Sequence, residues 1–243
     1  MNVIHDSVVI SNTVKIGYFN VIEENVQIGE NVQIGNHVTI YAGTKIGDGI
    51  RIADGAVIGK QPTPGKTSTM KLTNAIEPLV LHDQVTIGAN TIIYAGAEIG
   101  ESTLVADLAS VRENTKIGIE CIIGRNVTIE NYVSIGNRVK VQSNAYITAH
   151  STLEDFAFIA PCVTTTNDNF MGRTKERFSQ IKGATVKKGA RVGGGSILLP
   201  GIVVAEETFV AAGALVTKNT EPKTVIKGFP AKISKQVDER ELL

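Results

Sequence analysis

Aliphatic residues recur at every sixth position through most of this 243-residue chain, and no other feature restricts its fold so strongly. Thirty of them form three unbroken runs, which extend from Ile4 to Ile58, from Leu81 to Ile159 and from Val186 to Val216. An α-helix needs apolar residues three and four positions apart, and a half-exposed strand needs them two apart, so neither element explains the period. Repetition at a fixed short period is typical of a solenoid, and a period of six predicts a parallel β-helix.

In this interpretation each hexad supplies one short strand and one corner, so that three hexads close a triangular coil of about 18 residues. The thirty hexads then predict about ten coils, stacked so that each contacts only its neighbours. The aliphatic residue points into the prism, and the glycine or asparagine that often follows it suits a corner with positive φ. We therefore expect an all-β fold, a single-stranded parallel β-helix of about ten triangular coils.

Composition excludes several classes of partner. The chain has 24 basic and 24 acidic residues, so it lacks the overall positive charge typical of nucleic-acid binding. It has no apolar run of the roughly 20 residues that a membrane-spanning helix needs, and its first residues do not resemble a signal peptide. Its two cysteines, Cys121 and Cys162, favour reduced thiols. We expect a cytoplasmic protein that binds neither nucleic acid nor a membrane.

Two segments, 60–80 and 164–183, interrupt the period. The chain would accordingly divide into a β-helix at 1–218, which carries both loops, and a C-terminal tail or cap at 219–243. Loops of about 20 residues are uncommon in compact domains and are usually functional or disordered, although surface insertions are also tolerated well. The second loop combines aromatic residues with amide, acidic and basic side chains, a composition that favours a ligand with a phosphate and a flat base. Its polar residues are Asn167, Asp168, Asn169, Arg173 and Arg177.

Motifs around the second loop resemble a known family. The run TTTNDN at 164–169 precedes the loop, GATVKKGARVGGGSILLPGIVV at 183–204 resumes the coil, and VIKGFPAK at 225–232 closes it. This combination resembles the hexapeptide acyltransferase superfamily, and within it the nucleotide-linked amino-sugar N-acetyltransferases. The resemblance implies a left-handed β-helix and a homotrimer with active sites at the subunit interfaces. It also implies acetyl transfer from acetyl-CoA, without a metal, to a 3- or 4-amino deoxysugar on dTDP or UDP, for surface polysaccharide or glycan biosynthesis.

Residues 18 apart lie above one another in such a coil, so polar columns are readable from the sequence. One column predicts that Arg112 lies within ion-pair reach of Glu130 on the next coil. Further polar columns, expected along the same edge, contain Tyr132 with His150 and Asn126 with Asn144. These columns fit either a structural hydrogen-bonded ladder or an acceptor pocket that faces a neighbouring subunit.

Acyl transfer from a thioester to an amine gains most from holding the two reactants together. A carboxylate near the amine would orient it and take its proton, and Glu130 is the first candidate, with Arg112 positioning it. His150 is the alternative base, and the departing CoA sulfur could take the proton instead. The predicted acceptor-binding residues are Arg112, Glu113, Asn126, Tyr132, Asn144, Asn167, Asp168, Asn169, Arg173 and Arg177.

Basic residues near the C-terminus predict contacts with the phosphates of acetyl-CoA, because lysine and arginine form charge-assisted hydrogen bonds with phosphate. Taken singly, each of them is equally typical of a solvated surface. Backbone N–H groups of the glycine run would stabilise the oxyanion or adjoin the cofactor. The predicted cofactor-binding residues are Gly194, Gly195, Lys187, Lys188, Arg191, Lys218, Lys227 and Lys232.

Other functions are compatible with such a coil. A gamma-type carbonic anhydrase needs three histidines on zinc, whereas the four histidines here are spread over the chain. Acyl-carrier-protein-dependent lipid acyltransferases usually carry a helical C-terminal domain, and ice-binding coils need flat ladders of one side-chain type. The alternatives that remain are an acyltransferase for another small amine or hydroxyl acceptor, and a non-catalytic binding or structural β-helix.

Overall fold

The computed structural model describes residues 1–68 and 76–243, and most strands in these ranges contain only two residues. Residues 69–75, which belong to the predicted first loop, lie outside the described residues. The strands before that loop are β1 (Val3–Ile4), β2 (Val9–Ile10), β3 (Lys15–Ile16), β4 (Val21–Ile22), β5 (Gln27–Ile28), β6 (Gln33–Ile34), β7 (Thr39–Ile40), β8 (Lys45–Ile46), β9 (Arg51–Ile52) and β10 (Val57–Lys60).

The middle of the chain continues the same rhythm up to the second loop. Its strands are β11 (Val80–Leu81), β12 (Thr86–Ile87), β13 (Ile92–Tyr94), β14 (Glu98–Ile99), β15 (Leu104–Val105), β16 (Ser110–Val111), β17 (Lys116–Ile117), β18 (Ile122–Ile123), β19 (Thr128–Ile129), β20 (Ser134–Ile135), β21 (Lys140–Val141), β22 (Tyr146–Ile147), β23 (Thr152–Leu153), β24 (Phe158–Ile159) and β25 (Thr164–Thr165).

The second loop contains a short helix, α1 (Arg177–Gln180), and a 3-10 turn lies at Glu239–Glu241. In the described ranges, no helix has the length and apolar character needed to cross a membrane. The remaining strands are β26 (Thr185–Val186), β27 (Arg191–Val192), β28 (Ile197–Leu198), β29 (Val203–Val204), β30 (Phe209–Val210), β31 (Leu215–Val216), β32 (Thr224–Gly228) and β33 (Ala231–Gln236).

Every third strand pairs in parallel, which produces three ladders that form the faces of a prism. The first ladder runs from β1 through β4 to β31, the second from β2 through β5 to β29, and the third from β3 through β6 to β32. Pairs such as Ile129 with Ile147 are in register, 18 residues apart. The predicted all-β parallel β-helix is therefore confirmed.

The period of six places one aliphatic side chain per strand inside the prism. All such positions from Ile22 to Val216 are buried, and at Ile129 and Ile147 the exposed fraction is 0%. Ile4 and Ile10 follow the same pattern but remain about 40% and 39% exposed, because the first coil has a neighbour on one side alone. Cys121, two residues before Ile123, is also buried in the core.

The predicted number of about ten coils is too low, because the ladders contain 11, 10 and 12 strands. Two of the parallel strands have no place in the aliphatic count. In β25 the inward residue is Thr165, which is fully buried although polar, and in β32 it is Ile226, which lies outside the hexad rhythm. The last strand, β33, returns antiparallel to β32. The division at 218/219 stays a prediction, and β32 continues the third ladder beyond that position.

Side-chain oxygens at the corners tie neighbouring coils together. Asp107 accepts a hydrogen bond from the backbone N–H of Ala89 at 2.8 Å, and Asn137 does the same for Ile119 at 3.0 Å. Both acceptors lie 18 residues after their donors, so each bond joins one coil to the next. Because aspartate and asparagine both fill this position, the structural requirement is an acceptor oxygen rather than a charge.

Replacing Asp107 by Ala should therefore lower the free energy of unfolding by about 1 kcal/mol, the usual net value of one hydrogen bond. Asp107→Asn keeps the acceptor and is the matched control, with an expected change well below that of Ala. Urea unfolding followed by circular dichroism measures both variants. Equal losses in the two variants would show that the bond between coils does not explain the effect.

Candidate functional site

Both insertions leave the solenoid from the same edge. The first separates β10 from β11 and the second separates β25 from β26, and each time the chain passes from the first ladder to the second. Between the two insertions this edge is formed by the turns at 94–97, 112–115, 130–133 and 148–151. We call this side of the prism the loop-bearing edge. Its turns carry the side chains for which the sequence predicts catalysis.

An arginine with two carboxylates lies at the centre of the loop-bearing edge. The Arg112 guanidinium donates to both carboxylate oxygens of Glu113, with Nε–Oε2 at 2.8 Å and Nη2–Oε1 at 3.2 Å. Its Nη1 lies 3.8 Å from Oε2 of Glu130, one coil further on, which confirms the predicted ion-pair distance. Partial burial alone would lower the pKa of Arg112, but its hydrogen bonds to Glu113 and the charges of both carboxylates raise it. The guanidinium is thus held in its charged form.

The two carboxylates differ in their access to solvent. The Glu113 side chain is fully buried beneath Arg112, whereas 24% of the Glu130 side chain is exposed. Glu113 therefore neutralises and orients the arginine, while the more distant Glu130 keeps oxygens available to a ligand. Glu113 was predicted to bind the acceptor, but its side chain is fully buried, and its bidentate contact with Arg112 is a finding of the structure.

Two tyrosines complete this group. The Tyr94 ring lies 4.9 Å from the Arg112 guanidinium and 5.6 Å from the Lys60 ammonium, the latter at the start of the first insertion. The Tyr146 side chain interacts with Glu130 and Thr148, and burial followed by the Glu130 charge raises the pKa of its phenol. The sequence analysis did not identify Tyr146. The pattern that could have identified it is its outward strand position, 18 residues after Thr128 and so directly above it.

Tyr132 and His150 stack on the loop-bearing edge, with ring centroids 5.3 Å apart and an interplanar angle of 2°. Both have positive φ, at 57° and 63°. Phe19 and His37 stack in the same way on a distant coil, 5.1 Å apart, so stacking at a corner is not in itself the mark of a site. Tyr132 and His150 therefore present a flat aromatic surface beside Glu130, with no geometry that assigns His150 as the base.

Asn126 and Asn144 lie on a different edge from Glu130. The turns that contain them join the third ladder to the first, so the expectation of one shared polar edge is wrong for this pair. Asn126 and Asn144 precede Tyr132 and His150 by six residues each. Because residues six apart fall on successive edges of the prism, the asparagines lie one edge before the aromatic pair. The Asn126 amide donates to Oδ1 of Asn144 at 2.9 Å, and both residues have positive φ, which asparagine adopts at low cost. Both features fit a structural ladder.

The second insertion is organised around Asp168. Its carboxylate accepts the backbone N–H groups of Phe170 at 2.8 Å and Gly172 at 3.0 Å, and it lies 2.9 Å from Nε of Arg177. Asn167 donates to the Ala149 carbonyl at 3.4 Å and so joins the insertion to the loop-bearing edge. The remaining two residues of the predicted set are exposed on the insertion, Asn169 and Arg173.

Acidification should loosen this insertion. Burial would raise the pKa of Asp168, but the amides of Gly172 and Phe170 and the charge of Arg177 hold it below its ordinary value. Such a group stabilises the fold above the ordinary aspartate pKa, and the stabilisation is lost as the pH falls through the lower folded value. Hydrogen exchange of the Phe170 and Gly172 amides should therefore become fast relative to its intrinsic rate, which itself depends on pH, only at strongly acidic pH.

The variant Asp168→Ala should show the same fast exchange already at neutral pH. The Ala89 amide, bound to Asp107 on the solenoid, is the internal control and should keep its protection in this variant. Unchanged exchange of Phe170 and Gly172 in Asp168→Ala would show that the carboxylate does not order the insertion.

The predicted basic cluster for the cofactor is dispersed over several sides of the prism. Lys187 and Lys188 follow β26 at the edge between the second and third ladders, and Lys187 binds Glu154 at 2.6 Å, which raises its pKa. Lys218 follows β31, and Lys227 faces Lys232 across the β32–β33 pair. Proximity in sequence does not bring these side chains together, because one coil of about 18 residues passes all three faces.

The two predicted glycines lie at an edge with little side-chain cover. Gly194 and Gly195 belong to the turn from the third ladder to the first, where Gly195 donates to the Pro161 carbonyl at 3.0 Å. A Cβ added at Gly195 would meet nothing within 4 Å, and one at Gly194 would meet only that carbonyl, at 3.3 Å. Gly213 on the next coil is equally open. We call this edge the small-residue edge, and its backbone is exposed at Gly195 and Gly213.

Two family models match parts of the chain. The model described as bacterial transferase hexapeptide (six repeats) matches residues 3–41 and 25–60. The model described as hexapeptide repeat of succinyl-transferase matches residues 114–149, which include Glu130. Both matches fall on the coil and outside the second insertion.

Curated relatives match over short segments. A serine acetyltransferase of Buchnera aphidicola subsp. Acyrthosiphon pisum is 36% identical over 70 residues, which are 29% of this chain and 26% of the relative. A 2,3,4,5-tetrahydropyridine-2,6-dicarboxylate N-acetyltransferase of Enterococcus faecalis is 39% identical over 49 residues, 20% of this chain and 21% of the relative. The chain thus spans about a quarter of the length of the curated relatives that it matches.

A solved structure of a UDP-N-acetylglucosamine acyltransferase matches almost the whole chain. The TM-score is 0.62 at 20% identity, and the match covers 96% of this chain and 71% of the other. At this identity the likeness concerns the fold alone. It extends the similarity from the hexapeptide segments to the whole solenoid.

Proposed function

We propose, from the premise that this chain belongs to the hexapeptide-repeat acyltransferase superfamily, that it transfers an acetyl group from acetyl-CoA to the amine of a nucleoside-diphosphate-linked amino-deoxysugar. The observation that carries the proposal is the group of Arg112, Glu113 and Glu130 between two insertions on one edge. A partly exposed carboxylate held by a charge-balanced arginine is suited to an ammonium or amine group. Similarity to named acetyltransferases supports the acetyl donor.

The reaction needs few groups from the protein. The neutral amine attacks the thioester carbonyl, the C–N bond forms, and the carbonyl oxygen becomes an oxyanion. Collapse breaks the C–S bond, and the proton lost from nitrogen passes to Glu130 or to the departing CoA sulfur, so that an amide and CoA result. Glu130 would also hold the amine toward the thioester, and such positioning contributes much of the rate in two-substrate reactions.

The location of the groups favours a site shared between subunits. Glu130 lies on the loop-bearing edge, whereas the open backbone of Gly194 and Gly195 lies on the small-residue edge. Within one chain these two edges bound opposite sides of the first ladder. Apposition of the loop-bearing edge of one copy with the small-residue edge of another would bring amine and thioester together. A homotrimer of the kind implied by the family provides that apposition.

The second insertion supports a nucleotide-linked acceptor. The bond between Asn167 and the Ala149 carbonyl joins this insertion, with its aromatic and basic side chains, to the turn that carries His150 of the Tyr132–His150 stack. Flat rings suit a nucleobase, and exposed cations such as Arg173 suit a diphosphate. The similarity in fold to an acyltransferase named for UDP-N-acetylglucosamine is consistent with this class of acceptor.

Thiol release tests the proposal directly. Purified protein would be assayed with acetyl-CoA and a panel of dTDP- and UDP-linked 3- and 4-amino sugars, with the corresponding hydroxyl sugars as matched controls. Turnover with an amino sugar and none with its hydroxyl counterpart is the expected result. Turnover with the hydroxyl sugars alone would make the enzyme an O-acyltransferase. Absence of turnover with every acceptor, together with absence of CoA binding, would contradict the acyltransferase assignment.

A further inference from the structure

A groove on the third ladder is lined in part by residues of the C-terminal segment. Its lining includes Lys140, Phe156, Phe158 and Arg191, the carboxylates of Glu120 and Glu207, and the C-terminal residues Glu241 and Leu243. The groove lies on a face of the prism and is separate from the loop-bearing edge. Glu241 is joined to Arg191 by an ion pair, whereas Leu243 is 71% exposed.

Arg191 is the charged anchor of this groove, and its hydrogen-bonding capacity is poorly used. One nitrogen, Nη1, lies 3.2 Å from Oε2 of Glu241, and the guanidinium lies 5.2 Å from the Phe209 ring. Its Nε and Nη2 are buried and have no hydrogen-bond partner in the described part of the chain. Buried donors of a charged group are costly to leave unpaired. Glu241 pairs with one nitrogen of Arg191 and leaves the other two unused. The site therefore favours an anion that presents more acceptor oxygens to the guanidinium.

The segment 238–243, which carries Glu241, is held by few contacts and can separate from the groove. Val237 is buried and donates its N–H to the Lys223 carbonyl at 2.7 Å, which fixes the chain at that point. Beyond Val237 the contacts are those of a 3-10 turn, the ion pair of Glu241, and a 3.3 Å bond from the Leu243 N–H to Glu207. About half of the Glu241 side chain is exposed, so its ion pair is weak and easily exchanged.

We propose that Arg191 anchors a phosphate group and that Glu241 is a built-in competitor that must leave before the phosphate binds. A phosphate presents three oxygens to the planar guanidinium fork, which matches it better than a single carboxylate oxygen does. The Phe156 and Phe158 rings beside the fork would accept an apolar or aromatic part of the same ligand. The segment beyond Val237 then acts as a strap whose affinity for the groove lowers the apparent affinity of the ligand.

The identity of the ligand as the phosphate-bearing end of acyl-CoA rests on the proposed function. Arg191 is on the same coil as Gly194 and Gly195 of the small-residue edge. The two glycines follow it by three and four residues. A long ligand that lies along the exposed backbone at these glycines would extend its phosphates toward the third ladder. Competition at Arg191 would make CoA binding sensitive to the strap.

Calorimetric binding of CoA and of inorganic pyrophosphate to the full chain tests this inference. Glu241→Gln should bind both probes about fivefold more tightly, the equivalent of an exposed ion pair of about 1 kcal/mol. Glu239→Gln is the matched control, because Glu239 lies on the same turn and forms no ion pair in the described ranges. Arg191→Gln should weaken binding at least tenfold, and Arg191→Lys should recover part of it.

The double variant separates competition from a general effect of the strap. In the Arg191→Gln background, Glu241→Gln should no longer change the affinity, because the competitor has lost its partner. Equal affinities of the Glu241→Gln and native proteins, an unchanged affinity in Arg191→Gln, or absence of binding by both probes would overturn the inference. Binding that depends on Arg191 without any acyl transfer would uphold the inference and reject the proposed function.

Discussion

Replacing Glu130 by Gln is expected to lower kcat/KM for the amino-sugar acceptor about 100-fold, the smaller end of the range for loss of a general base. The amide keeps the shape of the side chain but neither attracts an ammonium group nor takes its proton. The loss should include a higher KM, because the same carboxylate orients the amine. Activity should not vanish, since the departing sulfur still accepts a proton. Steady-state thiol release at saturating acetyl-CoA measures both constants.

A second glutamate provides the control for this experiment. Glu98, in β14 of the second ladder, forms an exposed ion pair with His82, so Glu98→Gln removes a similar charge away from the loop-bearing edge. We expect its kinetic constants to match those of the native protein. If Glu130→Gln also retained native kinetics, Glu130 would have no place in the site. A loss of equal size in both variants would indicate a general effect of surface charge.

The largest effect on stability is expected from Ile129→Ala. This side chain is fully buried in the middle of the prism, and its replacement leaves a cavity that neighbouring coils fill only in part. Truncation of a buried isoleucine costs about 3 kcal/mol of unfolding free energy, from lost burial and from the cavity together. Thermal and urea unfolding should both show the loss, and two spectroscopic probes are needed because stacked repeats need not unfold in one step.

Ile10→Ala is the matched variant at the same position of the hexad. Ile10 is 39% exposed in the first coil, so the same truncation should cost less than about 1 kcal/mol. Equal costs at Ile129 and Ile10 would mean that position along the solenoid does not determine the contribution of an inward residue.

The sequence predicted the fold to the level of individual inward residues, because one side chain per hexad carries the burial. It failed where that rule has exceptions. Thr165 is polar and Ile226 is out of phase, yet each fills an inward position, so the number of coils was underestimated. A fully buried threonine is tolerated there because its hydroxyl finds partners, among them the backbone N–H of Thr148 at 2.7 Å.

The candidate site was predictable as far as stacking determines it. The contact of Arg112 with Glu130 follows from a spacing of 18. The tighter contact of Arg112 with Glu113 does not, because the direction of a corner side chain depends on rotamers rather than on the period. Lys187 with Glu154 was hidden for another reason: the second insertion lengthens the spacing of stacked residues to 33 at this point. The roles of these residues in binding and catalysis stay predictions.

Each hexad turns the chain by one face of the prism. The number of hexads before a residue therefore sets both its height along the solenoid and the side of the prism on which it lies. Removal of six residues between the two insertions would leave every inward residue inward, yet it would rotate the upper coils by a third of a turn and carry the second insertion to another side. Removal of about 18 residues would restore the side and shorten the distance between the insertions by one coil. Natural or designed variants of this architecture that keep such a site should therefore differ in length between the insertions by whole coils.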